Sequence, residues 1–360
     1  MTQPRVTLTN PFAWPQVRRG SEAVVHGLAN WLAAHEVPVS ILAGGSHPRR
    51  YEVEGVPVRL VRAPDLRRVQ HDLDPEMTLI PGMAAALRRS RPDVVHAFMY
   101  SDALAARLAR VPFIVSFGGI ALRSGFKGHR LRMALLRAAT AGSPTVVCPS
   151  AAVAGHLRAE YGIDAVVIPN GLNTSRFRVQ AERDPGLILC AATADDRRKR
   201  VEVLVEAFDR LVTKGADVHL ALAGDVRPDR ADALRALLSD DARGRLELLG
   251  QLDEPALARV YARAAVTCLP SLNEAFGMVV VESLAAGTPV VAAHHGALPE
   301  LVDESVGGTF AADDAEDCAR VLGSVLAHAD ELHDACLARA AMYDWDAVAP
   351  KFLALYDAAR

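Results

Sequence analysis

Apolar positions along the chain follow two periods that alternate. Short runs rich in β-branched residues occupy positions 6–9, 37–42, 56–61, 93–98, 113–117, 145–148 and 165–168, and between them apolar residues recur every three or four positions. Buried strands alternating with amphipathic helices predict βαβ units around a parallel sheet. The pattern stops at Pro169-Asn170-Gly171, the polar stretch 173–186 carries no period, and a second series follows at 187–190, 218–223, 246–249, 266–269 and 289–292. Turn residues followed by an aperiodic polar segment mark a domain boundary. The expected class is therefore α/β, with two doubly wound parallel-sheet, Rossmann-like domains facing a cleft. They span residues 1–172 and 187–342, with a linker at 173–186.

In the second series Val203, Leu204, Ala207, Phe208, Leu211 and Val212 share one helical face, and Lys214-Gly215 supplies a basic last turn and a glycine stop. A helix therefore follows Lys199. Residues 343–360 form a last amphipathic helix whose apolar face needs cover, and it is expected to pack back across the domain junction.

With 360 residues, 51% of them hydrophobic, the chain is long for one core and ordinary for two. No stretch approaches the roughly 20 apolar residues that span a bilayer, and residues 1–10 lack the basic start and apolar block of a signal peptide. A cytoplasmic protein is the expectation. Cys148, Cys190, Cys268, Cys318 and Cys336 are odd in number, widely spaced and set mostly in apolar runs, which points to buried thiols rather than a disulfide framework or a zinc site. The net charge of -3 conceals an asymmetry: residues 1–180 hold 22 Lys+Arg against 12 Asp+Glu, and the remainder hold 18 against 31. A basic half suits an anionic ligand or lipid surface, although an arginine-rich solvated surface gives the same balance. Nucleic acid is disfavoured, because the basic residues are not interleaved with aromatics, which make up only 5% of the chain.

The densest chemistry lies in residues 269–289. A strand ends at Leu269, a polar loop follows, and a helix starts near Gly277. Free amides of Gly277, Met278 and Val279 would give that helix start a partial positive charge suited to a diphosphate, and Gly277 would let a ligand approach the backbone. Glu274 and Glu282 have seven residues between them. Glu282, inside the helix, can accept hydrogen bonds from a ribose, and Glu274 in the loop can reach a sugar hydroxyl. Were Glu282 merely an exposed helix residue, its neighbours Val279, Val280, Val281, Leu284 and Ala285 would not be so apolar; a buried glutamate needs a partner.

Glu274-x7-Glu282 with Ala275-Phe276-Gly277, followed by Ala286-Gly-Thr-Pro-Val-Val291 and Gly296-Ala-Leu-Pro-Glu300, resembles the family 4 glycosyltransferases of the GT-B fold. Asp93-Val-Val-His96, Val167-Ile-Pro-Asn-Gly171 and Arg176-Phe177 also fall in the family's order and spacing, so the resemblance covers nearly the whole chain. It implies a retaining, metal-independent transferase with no cofactor, moving a hexose from a nucleotide diphosphate sugar to a small-molecule or lipid-linked acceptor, such as a secondary metabolite or glycolipid precursor. It assigns the donor to the C-terminal domain, at Glu274, Ala275, Phe276, Gly277, Met278, Val279 and Glu282, and the acceptor to the N-terminal domain.

Three further places follow from the resemblance. Arg19-Gly20-Ser21-Glu22 resembles the family's glycine-rich loop, in which Gly20 would bring amides toward the diphosphate; the alternative is a plain helix start capped by Ser21. Lys199 stands where the family uses a lysine to neutralise the departing diphosphate, here followed by Arg200 rather than glycine. The family's usual arginine falls at Ala194, which leaves Arg197, Arg198 and Arg200 as candidate substitutes, or as solvated charge. The family's donor-contacting histidine falls at Gly118, where Gly118 and Gly119 would leave room or expose backbone beside the sugar. His96, closing a buried strand, reads as structural.

Lys199 and Glu274 are thus the candidate catalytic residues. The resemblance implies same-face attack, with the leaving diphosphate taking the acceptor proton and the protein supplying position and charge. A glycosidase-like pair of carboxyls is disfavoured because Glu282 belongs with the ribose. The other readings are a GT-B epimerase or phosphorylase, and a non-catalytic nucleotide-sugar-binding partner subunit. Residues 126–137 set Arg130, Arg132 and Arg137 among Leu131, Met133, Leu135 and Leu136, a pattern that suits either an anionic membrane or cover for the sheet. Peripheral contact with the inner membrane face, through the basic N-terminal domain, is the corresponding expectation.

Overall fold

The β-branched runs become buried parallel strands in both halves of the computed structural model, which describes residues 3–12, 20–62, 75–119, 130–142 and 145–360. The chain divides into one unit of residues 1–171 with 345–360 and a second of residues 172–344. The first unit runs β1 (Val6–Asn10), α1 (Gly20–Ala34), β2 (Val39–Gly45), β3 (Arg49–Val53), β4 (Val56–Arg62), α2 (Ile80–Ser90), β5 (Val94–Ala97), α3 (Tyr100–Ala109), β6 (Phe113–Ser116), α4 (Arg130–Thr140), β7 (Thr145–Cys148), α5 (Ala151–Tyr161) and β8 (Val166–Val167). Its sheet has the order β3-β4-β2-β1-β5-β6-β7-β8. From β1 the chain steps outward through β2 to β4, then resumes on the other side of β1 with β5.

The second unit contains β9 (Asp184–Ala191), α6 (Val201–Thr213), β10 (His219–Ala223), α7 (Pro228–Arg235), α8 (Asp240–Arg243), β11 (Leu246–Gly250), α9 (Glu254–Arg263), β12 (Ala264–Leu269), α10 (Met278–Ala285), β13 (Val290–Ala293), α11 (Leu298–Leu301), β14 (Gly307–Phe310), α12 (Ala315–Leu326) and α13 (His333–Ala341). The order β11-β10-β9-β12-β13-β14 reverses between β9 and β12. Alternation along β9 builds its two cores: Ile188 and Cys190 pack with Leu204, Phe208 and Cys318 on one face, and Leu187 and Leu189 with Tyr261, Val281 and Leu284 on the other.

Two strands escaped the sequence pattern. The edge strand β3 reads Arg-Arg-Tyr-Glu-Val and pairs antiparallel with β4, so it has no apolar run and the first sheet is not wholly parallel. β14 begins with two glycines, and Gly307 lies so close to Val290 O that a Cβ would stand 1.9 Å from it. The stretch 173–186, expected to be structureless, contains a 3-10 turn at Thr174–Phe177 and the start of β9, because Phe177 is buried edge-on against Tyr261 at 6.1 Å.

The last helix, α14 (Trp345–Ala359), belongs to the first unit. Trp345 needs glycines opposite it: a Cβ on Gly27 or Gly171 would come within 2.5 or 2.3 Å of its ring. Trp31 Nε1 donates to Asp346 Oδ1 at 2.6 Å, and Tyr356 OH meets His96 Nδ1 at 2.7 Å. His96 Nε2 meets Ser116 Oγ at 2.7 Å, so both ring nitrogens are satisfied inside the core. Burial pushes its pKa down to about 3, consistent with a structural role. All five cysteines are buried free thiols. Among the described residues no helix is long and apolar enough to cross a membrane.

Candidate functional site

In doubly wound sheets ligands bind beyond the carboxyl ends of the strands, where the strand order reverses. In the second unit that place lies between β9 and β12, and the predicted side chains of Lys199 and Glu274 meet there. After β9 the chain makes a 3-10 turn at Arg197–Lys199 capped by Asp196, whose Oδ1 accepts from Arg198 N at 3.0 Å. After β12 the loop 270–277 is tied to that turn by Leu272 N donating to Arg198 O at 2.7 Å. Lys199 Nζ and Glu274 Oε1 meet at 2.6 Å with their side chains 20% and 16% exposed.

The loop holding Glu274 is fixed from behind by the segment after β13. Asn273, at φ 57°, donates its amide to His295 Nδ1 at 3.1 Å, and Ala297 N donates to Glu274 O at 3.1 Å. Gly296 touches the same carbonyl, where a Cβ would stand 2.7 Å away. This explains the motif beginning at Gly296 physically: it is a backbone brace for Glu274.

α10 begins at Met278, with Gly277 before it at φ 108° and ψ 61°. The amides of Val280 and Val281 both reach Gly277 O, at 2.9 and 3.4 Å. Those of Met278 and Val279 are left at the open helix end. The space beside Gly277 is filled: a Cβ would meet Leu298 at 3.0 Å. The glycine thus serves its positive φ and this packing rather than access for a ligand. Phe276 likewise turns into the core, edge-on to Tyr343 at 5.6 Å, and Ala275 is half-buried beside it.

Glu282 has the partner that burial demands, Tyr261, whose hydroxyl donates to Oε2 at 3.0 Å. Although Glu282 keeps partial solvent access, protein packed around its carboxyl raises its pKa to about 7; the Tyr261 hydrogen bond opposes the rise and the charge of Glu254 adds to it. Tyr261 and Val279 line a cavity of about 200 Å³ with Ala192, Thr193, Gly224 and Gln251, at the ends of β9, β10 and β11. Tyr261 and His295 were not predicted from the sequence, since neither sits in a polar motif.

The basic run divides. Arg198 pairs with Asp196 at 2.6 Å, and Arg200 with Asp313 at 2.5 Å and Glu202 at 3.4 Å, so each has a carboxylate partner other than Glu274. Arg197 is exposed. At the position of the missing arginine, buried Ala194 offers its carbonyl to Arg230 Nε at 3.1 Å.

The first unit has its own reversal point, between β1 and β5, and it carries polar groups that sequence reading overlooked. Thr9 and Asn10 at the end of β1, Asp102 in α3 and Glu22 in α1 are buried polar residues, and among the described residues Asn10 Nδ2 and Glu22 Oε2 have no hydrogen-bond partner. Thr9 and Asp102 are neighbours, and burial pushes the Asp102 carboxyl up to about 8. Gly20 opens α1, exposed and with open space where a Cβ would stand; Arg19 lies outside the described residues, and Ser21 falls inside the helix rather than capping it. Gly118 and Gly119 are exposed after β6, with nothing within 4 Å of a Cβ. Of the basic segment 126–137, residues 126–129 and the side chains of Arg130, Leu131 and Arg132 lie outside the described residues. Among the described residues no group of three or more His, Cys, Asp or Glu is placed to hold a metal ion.

Comparison with known proteins matches both halves. Residues 18–176 match the family described as Glycosyltransferase Family 4, and residues 185–328 match Glycosyl transferases group 1. A phosphatidyl-myo-inositol mannosyltransferase of Mycolicibacterium smegmatis is 36% identical over 207 residues, 54% of this chain and 52% of that protein. A D-inositol 3-phosphate glycosyltransferase of Segniliparus rotundus is 33% identical over 248 residues, 61% of this chain and 53% of that protein. The matched stretch therefore spans about half the length of these relatives. Among solved structures, sucrose-phosphate synthase from Thermosynechococcus elongatus superposes with a TM-score of 0.83 at 21% identity, covering 99% of both chains. Anabaena HepE, solved with UDP and glucose, superposes with a TM-score of 0.75 at 17% identity, covering 99% of this chain and 100% of that one.

Proposed function

The chain belongs to the family 4 glycosyltransferases of the GT-B fold, and from that premise we propose that it transfers a hexose from a nucleotide diphosphate sugar to a hydroxyl acceptor, retaining the anomeric configuration and needing no bound metal or cofactor. The observation that carries the reading is the Lys199–Glu274 pair at the β9/β12 reversal point, beside the open end of α10. In the proposed complex Glu282 accepts from the ribose and the 200 Å³ cavity takes the base. The amides of Met278 and Val279 face the diphosphate. Glu274 orients the sugar through a hydroxyl.

During transfer the bond between the anomeric carbon and the diphosphate oxygen breaks, its electron pair staying on the diphosphate. The acceptor oxygen bonds to the same face of that carbon, and its proton passes to the leaving diphosphate. Lys199 supplies the positive charge where negative charge grows, the step in which a preorganised group contributes most. Of the arginines considered for the missing one, Arg198 and Arg200 are committed to carboxylates, whereas Arg197 makes no ion pair among the described residues.

For the acceptor we propose a hydroxyl-rich ring, small or lipid-linked, held by the first unit. Its support is the cluster of buried polar side chains of Thr9, Asn10, Glu22 and Asp102, of which Asn10 Nδ2 and Glu22 Oε2 are unpartnered among the described residues, together with two relatives named for inositol-containing acceptors. The test is release of nucleoside diphosphate from a panel of nucleotide sugars with and without inositol, inositol phosphate and phosphatidylinositol. Acceptor-dependent release, lost in Lys199→Ala, supports the reading. Isomerisation of the donor with no acceptor requirement would replace it with an epimerase.

A further inference from the structure

The flank of the first sheet, away from the β1/β5 reversal point, holds a concentration of arginines that make no ion pair among the described residues. Arg50 and Arg59 stand directly opposite each other across the β3–β4 pair. Like charges in that position destabilise a hairpin. Arg59 shares its sheet face with Val61, two residues on, and α2 covers that face: Gly82 lies against Val61, where a Cβ would be 3.6 Å away. Arg89, in the last turn of α2, brings a third guanidinium into the same corner. Burial chiefly, then the charges of Arg50 and Arg89, lower the pKa of Arg59.

Among the described residues Arg50, Arg59 and Arg89 make no ion pair, whereas Arg5, Arg183 and Arg339 each do. Arg89 spends only its Nε, on Ala85 O at 3.2 Å, which leaves both terminal nitrogens available. Glu52, two residues from Arg50 along β3, is exposed and makes no bond to any of them. Arg59 is half-buried while Arg50 and Arg89 are exposed, so the corner is open to solvent with one guanidinium in its floor.

We propose that the corner formed by Arg50, Arg59 and Arg89 is a binding site for phosphate oxyanions, supplied by an anionic lipid headgroup or by a free phosphate. Guanidinium forks match phosphate oxygens in pairs, and an anion among three of them replaces mutual repulsion with attraction. The site is separate from the proposed transfer chemistry and does not depend on it.

The test uses the full chain in two arms: co-sedimentation with vesicles of phosphatidylcholine alone or mixed with phosphatidylglycerol, and thermal stabilisation by inorganic phosphate at constant ionic strength. The wild type is expected to respond in at least one arm. The triple variant Arg50→Gln, Arg59→Gln, Arg89→Gln should lose that response by about a hundredfold in affinity. Arg5→Gln, Arg110→Gln, Arg158→Gln removes the same charge elsewhere in the first unit and should keep it. Vesicle binding that inorganic phosphate does not displace assigns the lipid headgroup; stabilisation by phosphate without vesicle binding assigns the free anion. If the triple variant does not fold, Arg50→Gln alone, on the exposed edge strand, should weaken the response about fivefold. No response of the wild type in either arm, or equal losses in the corner and control variants, overturns the proposal.

Discussion

Lys199 Nζ lies 2.6 Å from Glu274 Oε1, with the two side chains 20% and 16% exposed. A pair that is mostly shielded from water is costly to break from one side, because the survivor keeps a charge without compensation. Lys199→Ala should therefore lower kcat by about a hundredfold or more while changing the donor KM far less. Glu274→Gln should raise the donor KM as well, since it removes a sugar contact. Steady-state kinetics with one nucleotide sugar separates the two patterns.

Glu282 predicts a pH dependence. Its carboxyl is held at about 7, so near neutrality it exchanges between a protonated form and a carboxylate that accepts more strongly from ribose hydroxyls. Donor affinity should rise as pH increases through about 7, and Glu282→Gln should abolish the rise. Tyr261→Phe removes a hydrogen bond that favours the carboxylate, so the midpoint should move upward. Calorimetric titration of the nucleotide between pH 6 and pH 9 checks all three. A midpoint that Tyr261→Phe leaves in place contradicts the assignment.

Asp102 predicts a slope in stability. A buried carboxyl at about 8 keeps, in the folded state, a proton that the unfolded chain has released at neutral pH. Stability should fall as pH rises from about 4 to about 8 and level off above that. Asp102→Asn should flatten this slope and gain on the order of a few kcal/mol at pH 8 relative to pH 5. Urea denaturation at the two pH values measures it. Acceptor affinity should fall in the same variant if the first unit holds the acceptor there.

Tyr356 tests whether the last helix is part of the first core. Tyr356→Phe keeps the ring but leaves His96 Nδ1 buried without its 2.7 Å partner, at a cost of about 1–3 kcal/mol. The denaturant midpoint should drop without a change in slope. An unchanged midpoint means that the helix adds little to that core.

Much of this architecture can be read from residues in a row. Two series of apolar runs separated by Pro169-Asn170-Gly171 are enough to specify the parallel strands of two sheets, because strands buried on both faces must be apolar along their length. Lys199, Glu274 and Glu282 were legible because their motifs are contiguous and polar against apolar surroundings. Tyr261 and His295 were not, since each acts from a different element and only the folded chain brings it to its carboxylate or loop. The glycine at 277 was legible as a special position, but its reason was not: Leu298, 21 residues on, fills the space that a ligand was expected to use. β3 was missed because an edge strand facing water needs no apolar run, and β14 because glycines replace one.

The most direct test of the central claim is calorimetric titration of the protein with UDP, GDP, ADP and TDP, repeated on Glu282→Ala and Lys199→Ala. One nucleoside diphosphate should bind, with affinity lost in the first variant and reduced in the second. If none binds, or if the two variants bind as the wild type does, the second unit does not hold a nucleotide donor at the β9/β12 reversal point and the proposed transferase site is wrong.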